Sequence, residues 1–314
     1  MSGRVASLTE IRAGGKRAVA RALSAIETDA GSADLARLLD EAFLADRAHV
    51  LGLTGPPGVG KSTLTDQLIR RWRAAGETVA VIAVDPSSRK TGGALLGDRT
   101  RLTTDPEDQG VFVRSMAARD RLGGLSDHAV AAIVLMRALY DHVLVETVGI
   151  GQSEADIVLV ADTVLLCIQP ASGDSLQFMK AGVMELPDVV AVTKADMGTA
   201  AKRAAGDVEG ALTLFRRDPG AFVPPVVLVS ATKGEGLDEL ADAVAAHRAH
   251  AAETGSGATR RAAQARAWIA ESLKTRFGTE GLGRVDIDAA LAAAPGPFSA
   301  ELTLSEGLLR RLSD

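Results

Sequence analysis

The sequence predicts an α/β fold: a mostly parallel sheet flanked by helices, with helical extensions at the N- and C-termini. Three observations carry that expectation. Seven short apolar runs alternate with helix-like stretches between residue 49 and about residue 250. A complete G-x-x-x-x-G-K-[ST] loop, Gly55-Pro-Pro-Gly-Val-Gly-Lys-Ser62, joins the first run to the first helix. Neither terminal region continues the alternation. Strands that alternate with helices form parallel sheets covered on both faces, and the loop places the fold in the P-loop NTPase class.

Residues 1–45 form a helical extension, with Leu35, Leu38, Leu39 and Phe43 at helical spacing. The P-loop domain is expected over residues 46–252. Its strand candidates are His49–Thr54, Thr78–Val84, Gly110–Arg114, His142–Thr147, Thr163–Gln169, Val189–Thr193 and Val226–Ser230. Helices are expected over Leu125–Tyr140 and Leu237–His250. The stretch Thr254-Gly-Ser-Gly257 then breaks the pattern. Residues 258–314 read as a helical C-terminal region, with one helix over Arg260–Phe277 and a second across Val285–Ala293.

Composition narrows the function classes. With 46% hydrophobic residues the chain buries a sizeable core, and with 3% aromatics that core is built from Ala, Val, Leu and Ile. The net charge of −5 offers no basic field for nucleic acid or an anionic membrane. No apolar stretch approaches the ~20 residues of a membrane span, and the charged N-terminus has no apolar signal region. The sole cysteine, Cys167, lies in an apolar run and reads as a buried small hydrophobe. These features fit a cytoplasmic protein.

The phosphate loop explains its own residue types. Gly55, Gly58 and Gly60 permit a tight turn that points successive N–H groups at phosphate oxygens. Pro56, Pro57 and Val59 complete the loop, and Thr63 continues into a helix whose positive dipole end faces the anion. Lys61 reaches the β- and γ-phosphates, and the Ser62 hydroxyl suits Mg²⁺.

Four later segments extend the site. Asp85, in Val84-Asp-Pro-Ser-Ser88, lies at the carboxyl edge of the sheet, where ligands bind in such folds; it either accepts from a Mg²⁺-bound water or caps the next turn. The glycine-containing segment Thr91–Leu102 carries Asp98, Arg99 and Arg101, either brought near phosphate and metal or left as a solvated loop. The run His142–Thr147 ends in Glu146 and is followed by Val-Gly-Ile-Gly-Gln-Ser-Glu154, the layout of a Walker B strand feeding a γ-phosphate switch. Glu146 stands where Asp is usual, and its longer side chain suits contact through metal-bound water. Gly149 offers an N–H to the γ-phosphate, and Gln152 and Glu154 are candidates for orienting the attacking water. The fourth segment, Thr193-Lys-Ala-Asp196, places a carboxylate to accept from the guanine N1–H and amino group. Its Lys194 stem covers the base. Thr193 replaces the Asn of N-K-x-D, a residue that braces the loop. Ser230, Ala231 and Thr232 then form an S-A-x-K-like loop for the guanine O6.

In this order, V-D-P-S-S, T-G-G-A-L-L-G-D-R-T-R-L and V-E-T-V-G-I-G-Q-S-E resemble the MeaB/ArgK family of GTPases, from about residue 10 to 250. The resemblance implies GTP/GDP and Mg²⁺ as ligands, with Ser62, Asp85, Asp98 and Glu146 around the metal. It implies a GTP-hydrolysing chaperone of an adenosylcobalamin-dependent acyl-CoA mutase, chiefly methylmalonyl-CoA mutase, gating cofactor delivery and protecting the enzyme. It also implies a homodimer with contacts in the C-terminal helices. The segment Gln169–Lys180 matches a third switch. Asp174, Leu176, Gln177 and Lys180 fit the family's pattern there, and Phe178 and Met179 depart from it. Lys61, Asp98, Glu146, Gln152 and Lys180 make up the expected catalytic set. A metallochaperone-type GTPase would need a Cys/His cluster, and histidines 49, 128, 142, 247 and 250 form no ligand set. His247 and His250 are expected on a solvated helix face. A P-loop kinase using adenine would not need Asp196 or the Ser230 loop.

Overall fold

The computed structural model describes residues 4–45, 47–85, 105, 107–117, 125–147, 156–170, 183–215 and 218–313. The chain divides into two units. One comprises residues 49–126 and 142–258, and the other is assembled from residues 1–48, 127–141 and 259–314.

The first unit holds seven strands: β1 (His49–Thr54), β2 (Val79–Asp85), β3 (Val111–Ala117), β4 (His142–Thr147), β5 (Thr163–Ile168), β6 (Val189–Val192) and β7 (Val226–Leu228). Their order is β3-β2-β4-β1-β5-β6-β7, and every ladder is parallel. All seven expected strands are present, with ends shifted by a few residues. Strands β5 and β6 are buried along their whole length, as continuous apolar runs in a covered parallel sheet must be. Helices α4 (Lys61–Ala74), α6 (Thr199–Leu212) and α7 (Leu237–Glu253) belong to this unit. Leu64, Leu68 and Ile69 of α4 and Leu240 of α7 share one core with Leu51, Leu53, Val81, Leu144 and Leu165 of the sheet. At roughly 25 cal/mol per Å² of apolar surface removed from water, such burial is the main favourable term for this unit.

The amino edge of the sheet carries a chain of buried and half-buried polar groups. Thr163 Oγ1 lies 2.7 Å from His49 Nε2 and 2.7 Å from His247 Nδ1. His247 Nε2 faces Asp188 Oδ1 at 3.2 Å, and Asp188 Oδ2 accepts from the Val164 N–H at 2.8 Å. On the other side, Asp162 accepts from the Val50 N–H at 2.8 Å. His247 is therefore not on a solvated face: it is 4% exposed. The reason is that α7 lays this residue against the first residue of β5, where a hydroxyl and a carboxylate receive the ring.

The second unit contains α1 (Leu8–Ala13), α2 (Gly15–Thr28), α3 (Ala33–Leu44), α5 (Asp127–Leu139), most of α8 (Ser256–Leu282, broken at Gly278), α9 (Ile287–Ala293) and α10 (Pro297–Ser313). Ser7 and Glu10 form a reciprocal capping box on α1. Helix α5 is buried on nearly every side, which suits a helix apolar all round. The interruption expected at 254–257 is shorter than that, since α7 ends at Glu253 and α8 begins at Ser256. Helix α10 is a third C-terminal helix beyond the two expected. Its first turn is held by Asp40 of α3, 3% exposed, which accepts from the Phe298 N–H at 2.8 Å and the Ser299 N–H at 3.1 Å. A carboxylate on two first-turn donors satisfies them and opposes the helix dipole.

Candidate functional site

The chain leaves β1 at Thr54 and turns into α4 through the glycine loop. Gly55 has φ +133°, and a Cβ there would meet Cys167 O at 2.2 Å, so only glycine lets the loop pass β5. Gly60, at φ +100°, is the N-cap of α4, and no side chain caps that end. The first-turn N–H groups thus open into the loop. Lys61 is buried, and its Nζ donates to Gly55 O at 2.7 Å and to Pro56 O at 3.1 Å. Its ammonium is folded over the loop it serves, which concentrates positive charge there.

Glu146 comes from β4 at the position beside Leu53 of β1. It is buried. Ser62 Oγ donates to its Oε1 at 2.8 Å, and Thr65 Oγ1 donates to its Oε2 at 3.1 Å. A serine that gives its proton to a carboxylate keeps its oxygen lone pairs for a hard cation, and hydroxyl plus carboxylate are oxygen donors of the kind Mg²⁺ prefers. The residues present therefore fit that ion. Asp85 closes β2 one residue past the Val84–Thr147 pair; its side chain, and all of Asp98, Gly149, Gln152 and Lys180, lie outside the described residues.

The loop after β6 is tied directly to the phosphate loop. Thr193 is buried, and its Oγ1 donates to Val59 O at 2.7 Å, with Ile168 O also near it at 3.1 Å. This is the brace expected of the Asn it replaces. Lys194 adopts a left-handed backbone, φ 54° and ψ 43°, and its Nζ donates to Gly58 O at 3.2 Å and to Gln169 Oε1. Such a conformation costs on the order of 1 kcal/mol for a non-glycine residue, so the surrounding contacts must hold it. Asp196 is exposed and accepts from Ser230 Oγ at 2.8 Å. That hydroxyl, with the residue's own backbone N–H next in weight, holds the Asp196 carboxyl below the usual carboxylate range. A second hydroxyl, Thr232 Oγ1, lies 3.4 Å from Ser230 Oγ, and Ala231 stands between them.

Gly55–Ser62, Glu146, Thr193, Lys194, Asp196 and Ser230 are thus drawn together at the carboxyl edge. Two contributors escaped the sequence reading. Thr65 is indistinguishable there from any threonine in an amphipathic helix, although its place in the buried stripe Leu64, Thr65, Leu68, Ile69 was a usable signal. Gln169 as a partner of Lys194 left no signal at all.

Residues 19–280 match the family described as Methylmalonyl Co-A mutase-associated GTPase MeaB. The chain belongs to this family. Among MeaB-family relatives, it is 42% identical to a putative GTPase of Pyrococcus horikoshii over 272 residues, 85% of this chain and 84% of that one. It is 37% identical over 222 residues to the mouse protein named methylmalonic aciduria type A homolog, mitochondrial, covering 70% of this chain and 54% of the mouse protein. A crystal structure of an LAO/AO transport system kinase superposes with a TM-score of 0.69 at 26% identity, covering 98% of this chain and 96% of the other. As a MeaB-family member the chain is a GTPase with a P-loop NTPase fold, and it binds guanine nucleotide. Among the described residues, no helix is long and apolar enough to cross a membrane.

Proposed function

We propose that this GTPase is a cytoplasmic, nucleotide-gated chaperone of an adenosylcobalamin-dependent acyl-CoA mutase, with methylmalonyl-CoA mutase as the first client to test. The observation that carries this reading is the match over residues 19–280 to a family described by its association with that mutase. The mouse relative's name, which concerns methylmalonic aciduria, supports it. In this reading the protein gates cofactor delivery, protects the mutase and works as a homodimer through its C-terminal helices.

The site residues take these roles. The loop N–H groups and Lys61 bind the phosphates and stabilise charge as the γ-phosphoryl group transfers. Ser62 and Glu146, with Asp85 and Asp98, hold Mg²⁺. The ion, when bound, neutralises charge on the β- and γ-phosphate oxygens. Asp196 accepts from the guanine N1–H and amino group, Lys194 covers the base, and the Ser230–Thr232 turn meets O6. Thr193 fixes the distance between base and phosphate subsites through Val59 O. Gly149, Gln152 and Lys180 couple the γ-phosphate to hydrolysis and to the client.

The test is a GTPase assay titrated with the mutase of the same cell, with pull-downs in GDP and in a non-hydrolysable GTP analogue. Turnover rises with mutase, and mutase affinity differs between nucleotides, because linkage makes the coupling reciprocal. Unchanged turnover with equal affinity in both states removes the chaperone role and leaves the GTPase.

A further inference from the structure

Thr65 is fully buried at 0% exposure, in an α4 stripe otherwise made of Leu64, Leu68 and Ile69. A hydroxyl there costs stability unless it is bonded. It is bonded to Glu146 Oε2, while Ser62, one turn earlier on the same helix face, holds Oε1. The two contacts together define the plane of the carboxylate. This matters because the last torsion of a glutamate is soft: a carboxylate held through one oxygen swings through a broad range. A second donor on the other oxygen removes that freedom. It also places the Ser62 hydroxyl proton on Glu146 in a single direction, leaving the serine lone pairs turned the other way.

We propose that Thr65 is a positioning residue for the divalent cation: by fixing the rotation of Glu146, it sets the orientation of the Ser62 oxygen and hence the affinity for Mg²⁺. This rests on the reading of Ser62 and Glu146 as metal-side groups given above. Groups behind metal ligands commonly change metal affinity 10- to 100-fold when removed. Thr65 is not the sole partner of Glu146, which Ser62 also holds, so the lower end of that range applies.

The experiment uses the full chain loaded with fluorescent N-methylanthraniloyl-GDP, with Mg²⁺ added stepwise. Thr65→Val keeps the shape and deletes the donor, and Thr65→Ser keeps the donor. In T65V the Mg²⁺ concentration for half-saturation rises about tenfold, and GDP affinity in EDTA stays within about twofold, since only the support behind the ligand is gone. T65S restores Mg²⁺ affinity. The proposal is overturned if T65V leaves half-saturation unchanged, if T65S fails to restore it, or if GDP affinity in EDTA falls in step, since that last result makes Thr65 a packing residue of the loop. Ser62→Ala and Glu146→Gln in the same titration separate the two levels. If they weaken Mg²⁺ and T65V does not, Thr65 alone is misassigned. If neither does, the metal-side reading falls and this proposal with it.

Discussion

The same parallel strands carry buried polar groups at both ends, and the two ends use them differently. At the amino edge, Thr163 links His49 to His247, and the carboxylates Asp162 and Asp188 take backbone N–H groups of neighbouring strands. A hydroxyl has one proton, so Thr163 donates to one ring and accepts from the other. His247 Nε2 faces Asp188 and His49 Nδ1 faces Asp162, so Thr163 stands between two rings that are each turned to a carboxylate. At the carboxyl edge, the groups are held from behind instead. Ser62 and Thr65 grip Glu146, Thr193 grips Val59 O, and Lys61 lies on loop carbonyls. Chemistry of the same kind thus makes a staple where partners consume each other, and a site where they are braced around a glycine loop.

The sharpest way to break this contrast is Lys61→Ala. Loss of a charge-assisted phosphate contact lowers GTP affinity by roughly 10²-fold or more, with an unchanged circular dichroism spectrum. Near-native affinity by calorimetry removes the carboxyl edge as the phosphate site. Next, Asp196→Asn lowers GTP affinity by about 10- to 100-fold, since the charged acceptor of two guanine donors is lost, and it shifts preference toward XTP, whose C2 carbonyl accepts from the new amide. Equal binding of GTP and XTP by both proteins dissociates Asp196 from the base. At the amino edge, Thr163→Val removes the hydroxyl shared by the buried His247 ring and the half-buried His49 ring and costs about 1–3 kcal/mol in urea unfolding, while GTP turnover stays native. A turnover loss larger than the stability loss explains would join the two edges into one functional system. The smallest effect concerns Cys167, between the edges on β5. Burial pushes its thiol up to about 12, so at neutral pH it is not a thiolate. A thiol reagent labels it only after denaturant is added, and rapid labelling of the native protein contradicts the packing of β5 against Gly55.

Much of this was legible in the sequence because it is written locally. Each strand is a run of Val, Leu, Ile or Ala between turn residues, and Gly55–Ser62 carries its geometry in its glycines. Thr193 was recognisable as a departure from Asn, but its bond to Val59 O needed two loops in three dimensions. The amino edge was read wrongly at His247 because a histidine spaced three residues from another on a helix looks solvated until the strand facing it is known. Helix α10 was missed because its N-terminal cap is Asp40, supplied by α3 from the other end of the chain. Likewise, α5 reads locally as a crossover helix between two strands, yet it groups with the terminal helices.

That grouping has a consequence in time. Residues 1–48 leave the ribosome before the sheet unit does, and their partners at 259–314 emerge about two hundred residues later. At ~5–20 residues per second, that is a wait of some tens of seconds or less. During the wait Leu23, Ile26, Leu35 and Leu39, all buried in the finished protein, have only the helices of residues 1–48 and, once it is made, α5 to pack against within their unit. The sheet unit can close while its neighbour is still unfinished. The cell therefore carries, with every copy it makes, a nascent chain whose helices α2 and α3 stay sticky until α10 arrives and Asp40 receives the N–H groups of Phe298 and Ser299.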